Sequence, residues 1–456
     1  MSNSMSPETP SANASGLLRG SVDRALLGLW VPLVFGYFSQ IAFNWIDTAL
    51  VARVGSDALA AVGSAMFAIW FLFSLAELVT AGTVALVARR IGGSDGAGAM
   101  SVVATAGASS VVLGVVVAII GYPLTGWIVG LLGLEPAPAQ QAVDYLRILV
   151  IGYPAATLLV FLDAVFRGAG FTRPPMVVMI AIMCLNALLD WILIFGVGPA
   201  PALGVTGAAL ATVISRVVGC AVLSLLLLRR RTELGLVGDW TPDWQLLRPL
   251  LRVGAPASLA GVTFCVIYFG LVRITSGFGT YAVAALGLGI RLESIAYFVV
   301  LAVGRAAATF AAQNLGAGNK ERARRGIRRA LWHGSLPMLP CTIVMLAVPE
   351  GCVRLFIDDP LVVEAAASYL RILSVAMVVL AVEVVLDNVA YGVGDAVPAM
   401  VIEIVGTGLR IPIAIGLVHF GFGVDAVWWA VSITIAVKAV GFEVWFRSGR
   451  WSRTFV

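Results

Sequence analysis

The sequence predicts an all-α polytopic membrane protein with twelve transmembrane helices in two six-helix bundles related by a parallel pseudo-two-fold axis. Composition gives the first reason: 60% of the 456 residues are hydrophobic, 12% are charged, and the mean hydropathy is +0.97. A soluble chain of this length needs more charge to cover its surface. Long apolar segments and an internal repeat, described below, give the second and third reasons.

Apolar segments of roughly 20 residues, enough to cross a bilayer, recur along the whole chain. Each is predicted to be a helix, because lipid offers the backbone N–H and C=O groups no partner outside the segment itself. Numbered in chain order as spans 1 to 12, they cover approximately residues 25–51, 58–88, 100–121, 143–166, 175–197, 205–228, 250–274, 282–311, 328–349, 366–391, 398–420 and 424–446.

The spans divide the chain into two lobes with polar flanks. The N-lobe covers residues 25–228 (spans 1–6) and the C-lobe residues 248–446 (spans 7–12), and a cytoplasmic linker, 229–247, joins them. Residues 1–24 are polar at their start and lack an apolar core, so they are predicted to be a disordered cytoplasmic tail and not a signal peptide. Residues 447–456 form a second cytoplasmic tail.

Positive charge is concentrated in the loops that follow even-numbered spans. By the positive-inside rule, these loops and both termini are cytoplasmic, in a multi-pass protein of the cell inner membrane. The stretch KERARRGIRR is interpreted as a loop that meets lipid headgroups, so no nucleic-acid partner is expected. The cations are Arg89 and Arg90 after span 2, Arg167 and Arg173 around the turn after span 4, Arg229, Arg230 and Arg231 after span 6, Lys320, Arg322, Arg324, Arg325, Arg328 and Arg329 after span 8, and Arg447, Arg450 and Arg453 after span 12.

The two halves match at a constant offset of 224 residues. The segment YLRIL occurs at 145–149 and again at 369–373, Leu162-Asp163 matches Leu386-Asp387, and Pro32 matches Pro256. Such a repeat indicates a duplication of six spans. Because six is even, both copies enter the membrane from the same side, and a cleft between two like-oriented bundles suits alternating access.

A stripe of polar residues in span 1 is found only in the N-lobe. Gln40, Asn44 and Asp47 are spaced i, i+4, i+7 and therefore share one helix face. A carboxylate near the middle of a membrane helix costs roughly 2.5–3.5 kcal/mol on insertion scales. The matched C-lobe positions are Phe264, Tyr268 and Leu271.

Span 5 repeats this pattern with Asn186 and Asp190, one turn apart, whose matched positions are Arg410 and Ala414. Carboxylate, amide and hydroxyl oxygens that converge in a wet cavity bind Na⁺, and a desolvated carboxylate carries a proton. A proton or cation role is therefore predicted for Asp47 and Asp190. The alternative is that both acids are ion-paired for folding, with Arg216 as the intramembrane cation of this lobe.

Other polar and aromatic residues are candidates for a substrate cleft. They are Tyr37, Gln40, Asp163, Glu383 and Asp387. Asp163 and Asp387 occupy matched positions, so a shared structural role is an equal alternative for them. Aromatic side chains such as Tyr37 suit flat organic cations, although packing in the core or against lipid is the simpler explanation for any single ring.

Enzyme and metal-site motifs are not found in the sequence. It has two histidines and no P-loop, nucleophile elbow or Cys/His cluster, and its five cysteines lack metal-ligand spacing. No enzyme activity and no cofactor other than a coupling ion are expected.

Several of these segments together resemble the multidrug and toxic compound extrusion (MATE) family of transporters, and within it the DinF-like branch. The residues concerned are IDTALVARVGSDALAAVG at the end of span 1, ALVARRIGGSD and AAQNLGAGNKERARR after spans 2 and 8, and FRGAGFTRPPM after span 4. The resemblance covers about residues 25–446. It implies a two-lobe efflux antiporter driven by H⁺ or Na⁺.

The resemblance also implies an N-lobe ion site at Asp47, Asn186, Asp190 and Thr212, with Na⁺ as an alternative occupant of the first three. The polar stripe of span 1 adds Asn44 to this predicted site. Two departures from the family pattern stand out. Span 7 lacks the acid of a C-lobe cation site, which argues against such a site and favours protons, and FTRPP replaces the commoner DTR-x-P.

The predicted function is export of organic, cationic or amphipathic small molecules by a monomeric antiporter. A lipid-linked glycan or lipid flippase of the same superfamily is the first alternative; such proteins usually have more spans and a more cationic cavity. A non-transporting membrane receptor or scaffold is the second, although it would not need buried acids in one lobe.

Overall fold

The computed structural model describes residues 16–131, 133–199 and 201–453, and within these ranges the regular structure is helical, without a strand. Eleven helical segments in the described ranges are long and apolar enough to cross a bilayer, one of them (396–419) interrupted at Leu409, and a bent pair of helices forms a twelfth span. The predicted all-α fold with twelve spans is confirmed.

The N-lobe contains the first six spans. Span 4 consists of two helices, and the other five are each one helix. The bounds are Val22–Ala52, Ser56–Gly92, Gly96–Gly130, Pro136–Ile151 with Tyr153–Gly168, Arg173–Phe195 and Val205–Arg230.

The C-lobe repeats this order. A short helix, Pro349–Arg354, follows span 9, and span 11 is divided at Leu409. Spans 7 to 12 are Leu247–Ser276, Thr280–Gly316, Lys320–Ala347, Pro360–Gly392, Ala396–Gly408 with Arg410–His419, and Asp425–Ser448.

The bend in span 4 is peculiar to the N-lobe. The two helices of span 4 meet at Gly152 with an angle of 53°. Pro154 follows Gly152 and cannot donate a backbone hydrogen bond to the preceding turn, which breaks the ladder. The positions 224 residues later are Ala376 and Val378, and span 10 is continuous there.

Helix packing shows the two-fold relation between the lobes. In the N-lobe, span 2 packs on span 4, span 3 on 4, span 5 on 6, span 4 on 6 and span 1 on 5. The C-lobe has the equivalent pairs 8–10, 9–10, 11–12, 10–12 and 7–11. The lobes meet chiefly through spans 2 and 7, 1 and 8, and 2 and 8. An axis that exchanges span 1 with 7 and span 2 with 8 maps the 2–7 pair onto the 1–8 pair and the 2–8 pair onto itself.

The lobes approach each other most closely at the basic end, which we define as the end of the bundle where Arg89, Arg229 and Lys320 lie. Four helical glycines there leave no room for a Cβ atom, because each faces backbone of the other lobe. Only glycine permits this approach. The contacts are Gly82 with Leu250, Gly92 with Gln313, Gly254 with Leu78, and Gly316 with Arg89.

The terminal segments and the linker pack on the lobes. Residues 1–15 of the predicted disordered tail lie outside the described residues, but Leu17 is buried, and Arg322 donates to its carbonyl oxygen at 3.2 Å and to that of Gly20 at 2.9 Å. In the linker, Leu234 and Leu236 are buried. In the C-terminal tail, Trp451 Nε1 donates to the Phe446 carbonyl oxygen at 3.0 Å. Buried apolar side chains and hydrogen bonds therefore anchor these segments on the lobes, although the polarity of their sequences predicts contact with solvent.

Candidate functional site

Asn186 joins spans 5 and 6 beside Asp190. With its amide oriented to satisfy both ends, Asn186 Nδ2 donates to Asp190 Oδ2 at 3.3 Å, and its Oδ1 accepts from the backbone N–H of Thr212 at 3.3 Å. The structure therefore brings together three residues of the predicted ion site. In these contacts Thr212 acts through its backbone.

Asp47 and Asp190 are acids without an ionic partner. Asp190 is fully buried, Asp47 is half-buried, and one carboxylate oxygen of each, Oδ1, has no hydrogen-bond partner. The salt bridges of the described ranges do not include either acid. The charge of Asp47 acts on Asp190. A buried and a half-buried acid that share one region favour the binding of a proton or a small cation.

Tyr145, on span 4, is a neighbour of this site that we did not predict. Its side chain is 4% exposed and interacts electrostatically with both Asp47 and Asp190. Sequence reasoning identified the repeated YLRIL segment but used it only to establish the duplication. The sequence signal that could have identified Tyr145 is the tyrosine retained at this position in both lobes. In the structure its counterpart, Tyr369, also lies beside an acid, Glu293.

Arg216, on span 6, does not pair with these acids. Its guanidinium Cζ lies 5.9 Å from the centre of the Phe73 ring, and its charge acts on Tyr145 and Tyr153. It borders a small pocket between spans 2, 4 and 6. The alternative of an Arg216 ion pair with Asp47 or Asp190 therefore has no support in the described contacts. The other lining residues are Ile69, Leu72, Phe73, Ala76, Leu149, Tyr153, Ala156 and Val160.

Asn44 and Gln40, the other polar residues of the span 1 stripe, are not joined to Asp190 by a described contact. Asn44 is exposed and Gln40 is half-buried. Tyr37, also predicted for the cleft, packs against span 8 of the C-lobe: its ring centre lies 5.3 Å from that of Phe298 and 5.6 Å from Arg305 Cζ. Tyr37 therefore lies at the boundary between the lobes.

Ion pairs surround this boundary. Glu77 on span 2 lies 3.9 Å from Arg305 on span 8 and accepts from Thr80 Oγ1 at 2.8 Å. The cleft candidate Asp163 pairs with Arg167, one turn away, at 2.7 Å. This pair is local to span 4 and accords with the structural alternative for Asp163.

The remaining cleft candidates, Glu383 and Asp387, lie in the C-lobe on span 10. Glu383 is 5% exposed and is paired with Lys438 of span 12, so a substrate reaches it only if that pair opens. Asp387 is half-buried, its Oδ1 has no partner, and it interacts electrostatically with Glu77 of the other lobe. Of the two, Asp387 is better placed to face the cleft.

Metal-ligand clusters of three or more His, Cys, Asp or Glu side chains do not occur in the described ranges. The Na⁺ site at Asp47, Asn186 and Asp190 has a different donor set, with two carboxylates and one amide oxygen. Oxygen donors of this kind suit a hard cation. The Na⁺ site stays a prediction.

Two six-helix lobes that meet across a shared boundary, with unpaired acids inside the N-lobe, define a two-lobed multi-pass membrane transporter. The chain belongs to the MatE family, whose model matches residues 32–192 and again residues 256–415. The two matches begin 224 residues apart, the same offset as the internal repeat.

Curated relatives cover most of this chain. A probable multidrug resistance protein NorM of Thermotoga maritima is 26% identical over 95% of this chain and 94% of that protein. An FAD transporter of Shewanella oneidensis is 28% identical, over 79% of this chain and 80% of its own. The probable multidrug resistance protein YoeA of Bacillus subtilis is 30% identical, over 68% of each chain.

Solved structures share the whole fold. A MOP-superfamily transporter from Pyrococcus furiosus, described as having a binding pocket of reverse polarity that suggests a different function, superposes with a TM-score of 0.91 at 25% identity, covering 98% of this chain and all of that one (100%). An outward-facing multidrug resistance MATE transporter gives 0.89 at 26% identity, covering 98% and 99%. This protein is therefore a membrane transporter and not an enzyme.

Proposed function

We propose that this transporter is a secondary active antiporter that exports organic, cationic or amphipathic compounds in exchange for H⁺ or Na⁺ by alternating access. One observation carries the proposal: Asp190 is buried and Asp47 half-buried in the N-lobe, and neither has an ionic partner in the described contacts. The names of the NorM and YoeA relatives, which refer to multidrug resistance, support export of organic compounds.

Neutralising the acids couples ion binding to the change between the two lobe arrangements, and the ion gradient drives the exchange. A charged acid inside a membrane helix costs roughly 2.5–3.5 kcal/mol, and each 1.4 kcal/mol is a factor of about ten in an equilibrium. A conformation that binds the ion at Asp190 is therefore favoured on the order of 100-fold over one that leaves the bare carboxylate buried. Ion binding on one side and release on the other shift the populations of the two lobe arrangements.

Asn186 positions the carboxylate for this exchange. Its amide contacts Asp190 Oδ2 and the Thr212 backbone N–H, which leaves Asp190 Oδ1 free to receive a proton or a cation. Asp47, whose charge acts on Asp190, has an unpartnered oxygen of its own. In this proposal the coupling ion is the only species needed besides the substrate, and no organic cofactor takes part.

The boundary between the lobes is the proposed substrate path. Tyr37 contributes an aromatic face there and Gln40 a half-buried amide. We place the basic end in the cytoplasm, and with it both chain termini, in the inner membrane of a cell, because the arginine-rich loops lie at that end. The glycine contacts then close the cytoplasmic side. We expect one chain to be the working unit.

A flippase that moves an anionic lipid-linked compound is the second candidate. Arg305 and Arg216, two cations inside the bundle, favour it. Arg305 is already paired with Glu77, however, and the N-lobe acids would repel a negative substrate. Membership of a transporter family argues against the non-transporting receptor or scaffold.

The test is transport of a fluorescent organic cation into everted membrane vesicles, with ΔpH and ΔNa⁺ imposed separately. Asp47→Asn and Asp190→Asn should each abolish gradient-driven uptake, whereas Asp57→Asn, the same change at an exposed acid that begins span 2, should not. Unchanged uptake by a normally inserted Asp190→Asn protein would exclude the proposed coupling. Uptake of an anionic lipid analogue in place of the cation would favour the flippase.

A further inference from the structure

The C-lobe holds a buried cation between two acids from neighbouring helices. Lys438 Nζ of span 12 lies 2.5 Å from Glu383 Oε1 of span 10 and 3.1 Å from Glu403 Oε2 of span 11. The side chains of Lys438, Glu383 and Glu403 are 3%, 7% and 17% exposed. One ammonium group therefore joins three transmembrane helices through the two carboxylates.

This cluster has no equivalent in the N-lobe. The positions 224 residues before Lys438, Glu383 and Glu403 carry Ile214, Leu159 and Met179. Conversely, the C-lobe positions that match Asp47 and Asp190 carry Leu271 and Ala414. Each lobe thus contains its own pair of buried acids at a different place, and in the C-lobe the chain itself supplies a cation for the pair.

Buried carboxylates need a compensating charge or proton, because burial without one is costly. An ammonium within hydrogen-bond distance of both carboxylates supplies that charge without any ion from solution. We propose that Lys438 is a covalently attached counter-cation that fills the C-lobe acid pair, so that this lobe takes no exchangeable ion, and that removing its side chain opens a site for a monovalent metal cation between Glu383 and Glu403.

Other ionisable groups face the cluster, and the charge of Arg410 acts on both Glu383 and Glu403. Arg410 Nε donates to Thr434 Oγ1 at 3.0 Å, and its Cζ lies 5.4 Å from the Tyr268 ring centre. Glu293 accepts from Tyr369 OH at 2.6 Å. Asp387 interacts with Lys438 and both acids through their charges. Lys438 is the cation that directly bridges Glu383 and Glu403, so its loss leaves these two without their shared partner.

The proposal goes beyond the antiport by Asp47 and Asp190 and does not depend on it. The test therefore uses the full-length protein carrying Asp47→Asn and Asp190→Asn, so that an N-lobe response to ions cannot contribute. Its melting temperature is measured in nanodiscs in NaCl and in choline chloride at equal ionic strength, with and without Lys438→Ala. Ile435→Ala, a buried truncation on the same helix, controls for the loss of packing.

We expect the parent and Ile435→Ala proteins to melt at the same temperature in both salts. Lys438→Ala should melt lower in choline and recover with Na⁺ in a saturable way, by about 5 °C, and adding Glu383→Gln should remove that recovery. Equal melting of Lys438→Ala in the two salts would overturn the proposal. So would a saturable Na⁺ effect, abolished by Glu383→Gln, in the protein that retains Lys438.

A variant that lacks all three charges covers the case in which Lys438→Ala does not fold. Glu383→Gln, Glu403→Gln and Lys438→Ala together remove the acids that the ammonium balances. We expect this protein to fold and to be indifferent to Na⁺, because it has no charge to compensate. If it fails to fold as well, Lys438 acts through packing and the proposal is wrong.

Discussion

Trp30 Nε1 lies 3.2 Å from His333 Nδ1, although the two residues are 303 positions apart and belong to different lobes. His333 Nε2 in turn lies 3.2 Å from Asp23 Oδ1. An indole N–H only donates, so Nδ1 must accept, and the network assigns the proton to Nε2, which donates to Asp23. This chain of contacts ties the start of span 1 to span 9 near the basic end.

Replacing His333 by phenylalanine should destabilise the protein. The ring would still fill its space, but Trp30 and Asp23 would both lose a partner, at about 0.6 kcal/mol on average for each hydrogen bond between membrane helices. Thermal unfolding in nanodiscs measures the effect. The control is His419→Phe, since His419 is exposed at the end of span 11. Equal melting temperatures of the two variants would show that the Trp30–His333 contact makes no net contribution to stability.

Alanine at Gly254 should loosen the basic end. The new Cβ would meet the Leu78 backbone of the other lobe, whereas alanine at Gly287, which has open space, should stabilise its helix by roughly 0.5–1 kcal/mol. The two identical substitutions are therefore expected to change stability in opposite directions. Chemical labelling of cysteines introduced at the basic end should also increase in Gly254→Ala and not in Gly287→Ala, because a looser contact exposes them. Unchanged labelling in Gly254→Ala would contradict the proposal that the glycine contacts close this end.

Reversing the charges of Glu77 and Arg305 tests the ion pair between the lobes. Glu77→Arg and Arg305→Glu should each lower the transport rate, and the double variant should recover part of the loss, with a coupling energy of about 0.5–3 kcal/mol. The same swap at Glu443 and Arg447, a pair within span 12 whose arginine side chain is 78% exposed, should have little effect. A double variant no better than the worse single one would show that the pair does not act as a unit.

Matched tyrosines should respond differently to loss of the hydroxyl group. Tyr369→Phe removes the donor that Glu293 accepts from at 2.6 Å and should cost about 1–3 kcal/mol of stability, because a buried acceptor is left unsatisfied. Tyr145 interacts electrostatically with Asp47 and Asp190. Because of this, Tyr145→Phe should change the pH dependence of transport more than it changes the free energy of unfolding. Parallel unfolding and vesicle-uptake measurements on both variants check this, and equal loss of stability in both would refute the assignment.

Sequence alone determined the spans, the duplication and the identity of the unusual acids. Hydropathy and repeat patterns are local or periodic properties of the chain, so twelve helices and a constant offset are visible without coordinates. Asp47, Asn186 and Asp190 could be chosen because a polar side chain in an apolar span is costly wherever the helix packs. The same reasoning could not detect that Arg322 holds Leu17 against the C-lobe.

Only the tertiary structure decided which charges are paired. Lys438 and Glu383 are 55 positions apart, on spans 12 and 10, and their contact at 2.5 Å depends on how both helices are rotated about their axes. Asp190 lies in an equally apolar helix yet meets no cation in the described contacts. The partners of a buried charge are set by helix rotation and interhelical packing, which hydropathy does not encode, so the sequence could propose the acids but not distinguish the compensated pair from the free one.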